Sequence, residues 1–433
     1  MRTRRRVAVR LMPYLFLLYI IAFLDRVNVS YAALQMTHDL GFSDRVFGLG
    51  AGIFFVGYFL LEIPGTLIVE RWSARKWIAR IMISWGILAA ATGFIKSAQH
   101  FYWIRFALGM AEAGFFPGII VYLAHWFRYE DRAKAVAIFM SALPLSNIIG
   151  SPFSGLILGV NWFGIAGWRW VFILEGFPAV IFGVVTIFYL TDWPRQARWL
   201  REDERQWLIS ELEQEKRLRK AVRSYSVLEA FRQRDVVLLL SVYFCTVTGY
   251  YGFTLWMPTV LQRLSGLPDL GVTMVAIIPY LCGLVAMLLL GWHSDKTGER
   301  RWHTAIPPGV AGIGLLLGIA AGDSVVIVVM MFCIVAAAAH AYLPSFWAIP
   351  TAFLTESAAA AVIGLINSVG NLGGFLGPFL VGYVRTATGS FVGGMVFLSA
   401  ALILASFLAA QIKPPVRRMT NDEIRNSSFV IPQ

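Results

Sequence analysis

Gly291-Trp292-His293-Ser294-Asp295-Lys296-Thr297-Gly298-Glu299-Arg300-Arg301 is a short, densely charged turn between two long apolar runs. A looser copy, Gly65-Thr66-Leu67-Ile68-Val69-Glu70-Arg71-Trp72-Ser73-Ala74-Arg75-Lys76, lies upstream between another pair of apolar runs. The acids Glu70 and Asp295 are 225 residues apart. A second pair of stretches, Asn147-Ile148-Ile149-Gly150 and Asn371-Leu372-Gly373-Gly374, repeats at 224. Two independent matches at nearly one offset mark a duplicated unit arranged as parallel repeats.

Each unit holds six apolar runs. They fall at about 11–33, 46–69, 76–95, 101–126, 133–158, 168–191, 236–262, 271–293, 303–321, 324–348, 358–384 and 389–412, close to the ~20 residues that cross a bilayer as a helix. The chain is 58% hydrophobic and 14% charged, against about 25% charged in soluble proteins. Its mean hydropathy is +0.66. Backbone groups in lipid must be satisfied internally, which selects helices. The expected fold is an all-α membrane protein of twelve transmembrane helices in two pseudo-symmetric six-helix bundles.

One long polar stretch separates the bundles. Thr191-Asp192-Trp193-Pro194 stops a helix, and the segment from Trp199 to Lys220 mixes charges with Leu200, Trp207, Leu208 and Leu212. That pattern suits an amphipathic helix on the cytoplasmic side. The expected organisation is an amino-terminal bundle over 1–191, a cytoplasmic linker over 192–235, a carboxyl-terminal bundle over 236–412 and a cytoplasmic polar tail over 413–433.

The net charge of +12 follows topology, since 30 of the 37 Lys and Arg lie in 1–10, 70–80, 128–134, 192–235, 296–301 and 413–433. These are the termini and every second connection, so both termini are expected in the cytoplasm. Topology thus accounts for the basicity without a nucleic-acid partner. The first apolar run is too long for a signal peptide and lacks a small-residue cleavage site, so a retained span is expected. Cys245, Cys282 and Cys333 are scattered within apolar runs, with neither disulfide nor metal spacing. No HExxH, GxSxG or P-loop motif is present, so no enzyme is expected.

Four charges interrupt this apolar background: Asp25 and Arg26 in the first run, Arg105 and Glu112 in the fourth. Each costs roughly 2.5–3.5 kcal/mol at the bilayer centre, and such residues persist where they face a cavity and perform a task. Arginine stays protonated and offers a planar fork matched to a carboxylate, so Arg26 and Arg105 are candidate anion receptors. Asp25 and Glu112 supply counter-charge and can carry a proton. An anion that occupies the arginine favours protonation of a neighbouring acid, which couples the two ligands. Arg105 and Glu112 share nearly one helix face, about 10.5 Å apart along the axis, while Asp25 and Arg26 diverge by about 100°.

The second unit offers polar rather than charged candidates. Asn367 and Asn371 share a face among Ser368, Gly370, Gly373 and Gly374, and Tyr58 in the first unit presents a hydroxyl. Weaker candidates are Glu62, expected near the cytoplasmic end of its span within reach of water, and Glu175, expected to pair with Arg169 or cap a neighbour. His125 and His340 are expected at interfaces or in packing. Pro117-Gly118, Pro152 and Pro378 are expected to bend their helices.

The turn at 291–301 and its copy at 65–76 resemble the hallmark loops of the major facilitator superfamily. The upstream copy departs in Ser73, where Gly is usual, and Glu70, where Asp is commoner. The resemblance implies a cytoplasmic gate at Gly65, Glu70, Arg71, Arg75, Lys76, Gly291, Asp295, Lys296, Gly298, Arg300 and Arg301. There, charge-assisted bonds hold one of two states. Within the superfamily the chain looks like the anion:cation symporter family. The likeness rests on Phe23-Leu24-Asp25-Arg26-Val27-Asn28, Glu62-Ile63-Pro64-Gly65, the span-four stretch from Arg105 to Gly118, Trp168 to Gly176 and Trp193 to Leu200.

That likeness implies uptake of an organic carboxylate of the tartrate, phthalate or sugar-acid type, driven by protons, through a bacterial inner membrane. It places proton-coupling acids at Asp25 and Glu112 and substrate or coupling arginines at Arg26 and Arg105. Phe23 and Leu143 stand where sugar-acid members carry polar residues, which points to a smaller or more aromatic substrate. Protons are the only coupling ion expected, with no cofactor and no metal, in a monomer whose other partner is the lipid bilayer. An efflux antiporter or a non-transporting carboxylate receptor remains as an alternative.

Overall fold

The computed structural model describes residues 2–220, 233–322, 324–353 and 356–412. The expected tail over 413–433 and linker residues 221–232 lie outside the described residues. The amino half runs through α1 (Arg2–Asp39), α2 (Asp44–Arg71), α3 (Ala74–Thr92), α4 (Ala98–Glu112), α5 (Phe115–Trp126), α6 (Tyr129–Met140), α7 (Ala142–Leu158) and α8 (Gly167–Tyr189). The linker holds α9 (Glu202–Lys220). The carboxyl half continues with α10 (Arg234–Ser265), α11 (Asp269–Thr297), α12 (Arg301–Ala320), α13 (Val325–Ala341), α14 (Leu343–Phe353), α15 (Glu356–Asn371), α16 (Gly373–Thr388) and α17 (Val392–Ala409).

Local chemistry sets the helix ends. Ser43, Ser73 and Ser97 accept hydrogen bonds from Val46 N, Lys76 N and His100 N, and so cap α2, α3 and α4. Gly266, Gly298 and Gly389 end α10, α11 and α16 in the left-handed conformation.

Four of the twelve expected spans are each two helices in series: α4–α5, α6–α7, α13–α14 and α15–α16. These are the fourth, fifth, tenth and eleventh spans, so the breaks obey the repeat. Three of them fall just before Pro117, Pro144 and Pro344, because a proline cannot donate to the carbonyl four residues back. The fourth, at Leu372, precedes Gly373 and Gly374. Pro152 and Pro378, expected to bend their helices, lie inside α7 and α16, which continue through them. Gly114 takes φ +84° at the α4–α5 break, and a Cβ there would lie 3.3 Å from Gly65 Cα of α2.

Among the described residues, eleven segments are long and apolar enough to cross a membrane. The remaining expected span, α3, carries Arg75, Lys76 and Arg80 in its first turns. Large side chains such as Trp103, Phe188, Leu289 and Phe407 stay exposed around the outside, as a lipid-facing perimeter requires.

Packing repeats between the halves. α2 lies on α4 and α3 on α8, just as α11 lies on α13 and α12 on α17. The α2–α4 contact is so close that a Cβ on Gly109 would sit 1.9 Å from Phe54 O. The lobes meet through α2 on α16, α7 on α11, and α1 on α10. One set of polar ties between lobes lies toward the face opposite the termini. Gln35 donates to Asp269 at 2.6 Å, Arg263 bonds Asp44 at 2.9 Å, and Arg385 stands 3.7 Å from Asp44.

The amphipathic linker helix turns its apolar side onto the protein. Leu208 of α9 is buried, and ion pairs join Arg6 to Glu204, Arg128 to Glu211 at 3.0 Å and Arg132 to Glu215 at 3.4 Å. α9 therefore docks on the amino-terminal lobe.

Candidate functional site

A narrow chamber of about 70 Å³ lies between the lobes at mid-molecule. Its wall is largely aromatic, with Tyr19, Tyr58, Tyr243, Tyr250 and Tyr251 among its lining residues. Phe23 and Leu143 line it as well, beside the amides of Asn367 and Asn371. Among the described lining residues, Arg26 alone carries a fixed charge.

Arg26 reaches the chamber because Asp25 and Arg26, adjacent on α1, point in different directions. The Arg26 fork forms an ion pair with Glu112 and donates to the Tyr251 hydroxyl at 3.3 Å. Its guanidinium carbon lies 4.9 Å from the Phe23 ring centre, 5.2 Å from that of Tyr58 and 5.5 Å from that of Phe54. The Arg26 Nε has no hydrogen-bond partner. Asp25 turns instead toward α3, where it accepts from Trp85 Nε1 and from Asn28 Nδ2 at 2.9 Å.

Arg105 and Glu112 share a face of α4 and converge on the same cluster. Arg105 lies 4.9 Å from the Phe54 ring centre, so two guanidiniums share that ring. The negative face of an aromatic ring favours each cation. Arg105 is 1% exposed and stands off the chamber lining, as do Asp25 and Glu112 at 2% each. Of the four lipid-depth charges, the structure gathers all into one cluster and presents one to the chamber.

On the opposite lobe, Asn367 accepts from the Tyr243 hydroxyl at 3.4 Å and donates through Nδ2 to Glu62. The sequence reading put Glu62 within reach of water. It is 1% exposed, because α15 of the other lobe covers it. Glu175 was expected to pair with Arg169 or cap a neighbour. It accepts from Ser154 at 2.7 Å, while Arg169 bonds Gly93 O, Ile95 O and Asp39 near a helix end. His340 is buried beside the chamber with Nδ1 on Ala336 O, and His125 stacks on Trp193.

The two charged turns are each tied within their own lobe. Asp295 pairs with Arg300 at 2.6 Å, and Arg300 also donates to Ser294 Oγ at 2.9 Å. Lys296 lies over Trp292, and Arg301 donates to Ala410 O. Gly291 packs on Pro344. Burial pushes the Glu299 carboxyl up, but hydrogen bonds from Trp302 N and from the ring and backbone of His303 outweigh it and hold the carboxyl below its usual range. In the upstream turn, Ser73 Oγ and Arg75 N donate to Asp192 at 2.8 and 2.9 Å. Lys76 lies over Trp72. The side chains of Glu70 and Arg71 lie outside the described residues.

The sequence reading missed three parts of this arrangement. Asp192 organises the upstream turn, and its only signal was an acid directly after a span. Tyr19, Tyr243, Tyr250 and Tyr251 line the chamber, with Tyr250-Tyr251 inside an apolar run as a weak cue. The Glu62–Asn367 bond spans 305 residues of sequence, and no spacing announces it.

The sequence model of the Major Facilitator Superfamily matches residues 15–378. This protein belongs to the major facilitator superfamily. As a member it is a multi-pass membrane transporter, not an enzyme. The protein of Agrobacterium vitis named "Putative tartrate transporter" is 47% identical over 94% of each chain. A quinolone resistance transporter of Acinetobacter baumannii is 35% identical over 97% of each chain. The solved D-xylose-proton symporter shares the superfamily's fold with a TM-score of 0.74 at 15% identity, covering 95% of this chain and 99% of that one. In this chain the arginine-bearing chamber lies between the two six-span halves.

Proposed function

We propose that this transporter imports an organic carboxylate with protons across a bacterial inner membrane, its termini in the cytoplasm. The observation that carries the reading is the Arg26 fork in an otherwise aromatic and amide-lined chamber. A guanidinium binds a carboxylate through paired charge-assisted hydrogen bonds, and the surrounding rings suit a flat or aromatic anion. Asn367, Asn371 and Tyr58 would orient its far end. Phe23 and Leu143 on the wall favour a smaller or more aromatic acid over a polyhydroxylated one. The relative named for tartrate, 47% identical, supports a carboxylate as cargo.

Coupling follows from charge. Asp25 and Glu112 balance Arg26 and Arg105. An arriving carboxylate must compete with Glu112 for Arg26 and leaves the cluster one charge negative. A proton on Glu112 frees the fork and restores neutrality, so proton and anion favour each other's binding. Asp25 would pass or hold that proton through the same cluster. Arg105 would hold both acids by charge, from behind the wall. The turns at Glu70–Lys76 and Asp295–Arg301 would act as the cytoplasmic gate. A second reading, efflux of an aromatic anion, draws on the aromatic wall and the Acinetobacter relative.

A thermal-shift screen of the purified protein against mono- and dicarboxylates tests the binding claim. A ligand at 100 times its Kd stabilises by about 2.7 kcal/mol, so at least one carboxylate should raise the melting temperature, and Arg26→Ala should abolish the shift. Absence of a shift across the panel would remove the carboxylate reading.

A further inference from the structure

Glu62 is a buried acid that the coupling scheme above does not use. It lies on α2, 1% exposed, with its carboxylate on the Nδ2 of Asn367 from the other lobe. Asn367 lines the chamber and is held from its other side by Tyr243. The charged and titratable groups facing Glu62 are Arg26 of α1, Tyr58 of its own helix and Tyr243 of α10, with the amides of α15 completing its surroundings. Arg26 is already engaged by Glu112 of α4. The chamber therefore has two poles: a cation neutralised by one acid, and an amide occupied by another.

We infer that Glu62 is a second substrate-linked proton site, which makes transport of a dicarboxylate carry two protons rather than one. The inference rests on the proposed carboxylate transport. A dicarboxylate that sets one end on Arg26 brings its other end to Asn367. There it meets Glu62, which holds the same amide. Two carboxylates sharing one small buried site cannot both stay ionised. A proton taken by Glu62 turns it from competitor into donor and cancels the second charge of the substrate. The first charge is cancelled at Glu112. The arrangement thus balances a dianion with two protons, whereas a monocarboxylate, which brings no second charge to Asn367, needs only one. Because the Glu62–Asn367 bond also joins the lobes, the same protonation would act on the contact that lobe rocking must change.

The test is proton stoichiometry in vesicles reconstituted with the full-length protein, read as the accumulation ratio at zero membrane potential and a pH gradient of one unit. Tartrate serves as the dianion and glycerate as the monoanion. Each coupled proton multiplies accumulation by about ten under these conditions. Wild-type protein should therefore concentrate tartrate about 100-fold and glycerate about 10-fold, and Glu62→Gln should lower the tartrate ratio to about 10-fold. Equal ratios for the two acids in wild-type protein would overturn the inference and leave carboxylate transport standing, and that comparison does not depend on whether the variant folds. An unchanged tartrate ratio in Glu62→Gln would overturn it too. If wild-type protein moved neither acid, the inference would fall together with the carboxylate reading.

Discussion

Replacing Glu112 by glutamine separates the two tasks assigned to that acid. The side chain keeps its size and an acceptor oxygen but loses the charge that holds Arg26. Glu112 is 2% exposed and Arg26 about 10%, so this is a buried pair, and removing one partner of such a pair costs about 3–5 kcal/mol. Arg26 would retain Tyr251 and the Phe23, Phe54 and Tyr58 rings, and ring contacts of this kind are worth about 0.5–2 kcal/mol each. The loss of stability should then fall near the lower end, about 3 kcal/mol, visible as a lower melting temperature. Substrate affinity should move the other way. A substrate carboxylate no longer has to displace Glu112, and a hydrogen bond to a charged group is worth about 1.5–3 kcal/mol. Affinity should therefore rise roughly 10- to 140-fold, at about 1.4 kcal/mol per factor of ten. Proton-driven accumulation should drop about tenfold at a one-unit gradient, since one coupled proton is gone. Thermal-shift titration reads the first two effects, and vesicle uptake reads the third. A variant that binds no tighter and accumulates as wild-type does would show that Glu112 neither competes for Arg26 nor carries a coupled proton.

Other perturbations address single links. Arg105→Ala should cut uptake more than tenfold, because Asp25 and Glu112 would lose the buried cation that balances them; near-normal uptake would place Arg105 outside the machinery. Gly109→Ala should destabilise by about 1–3 kcal/mol through overpacking, because its Cβ would meet the Phe54 carbonyl at 1.9 Å; an unchanged melting temperature would refute that close approach. Glu299 is held below its ordinary carboxylate range by the start of α12. Its contribution is therefore present above that range and fades as pH falls through its folded value. Glu299→Gln should lower melting temperature near neutrality and shrink the acid-side decline, and parallel curves for the two proteins would contradict this.

The sequence carried the fold further than the site. Twelve apolar runs and a doubled charged turn were visible because lipid forces long apolar helices and a duplication leaves its punctuation behind. The divergence of Asp25 and Arg26 was also legible, since helical geometry alone separates adjacent side chains. Helix continuity was less so. Pro144 and Pro344 stand in the first turns of α7 and α14, where a missing N–H costs no helical bond, whereas α7 and α16 continue through Pro152 and Pro378. Arg105 looked equivalent to Arg26, but both guanidiniums lie against Phe54 and only Arg26 reaches the chamber lining. Glu62 and Glu175 found partners on other helices, Asn367 and Ser154, which no local spacing encodes. The positions of Glu70 and Arg71 in the gate rest on the doubled turn alone.

Directed movement of a carboxylate is the central property to measure. Purified protein should be reconstituted in vesicles, an inward acid gradient imposed, and entry of labelled tartrate measured against vesicles without the gradient. Tartrate should enter against a concentration gradient, and a protonophore or Arg26→Ala should abolish that entry. Tartrate entry that is indifferent to the proton gradient, or equal in the Arg26→Ala variant, would contradict proton-driven carboxylate import.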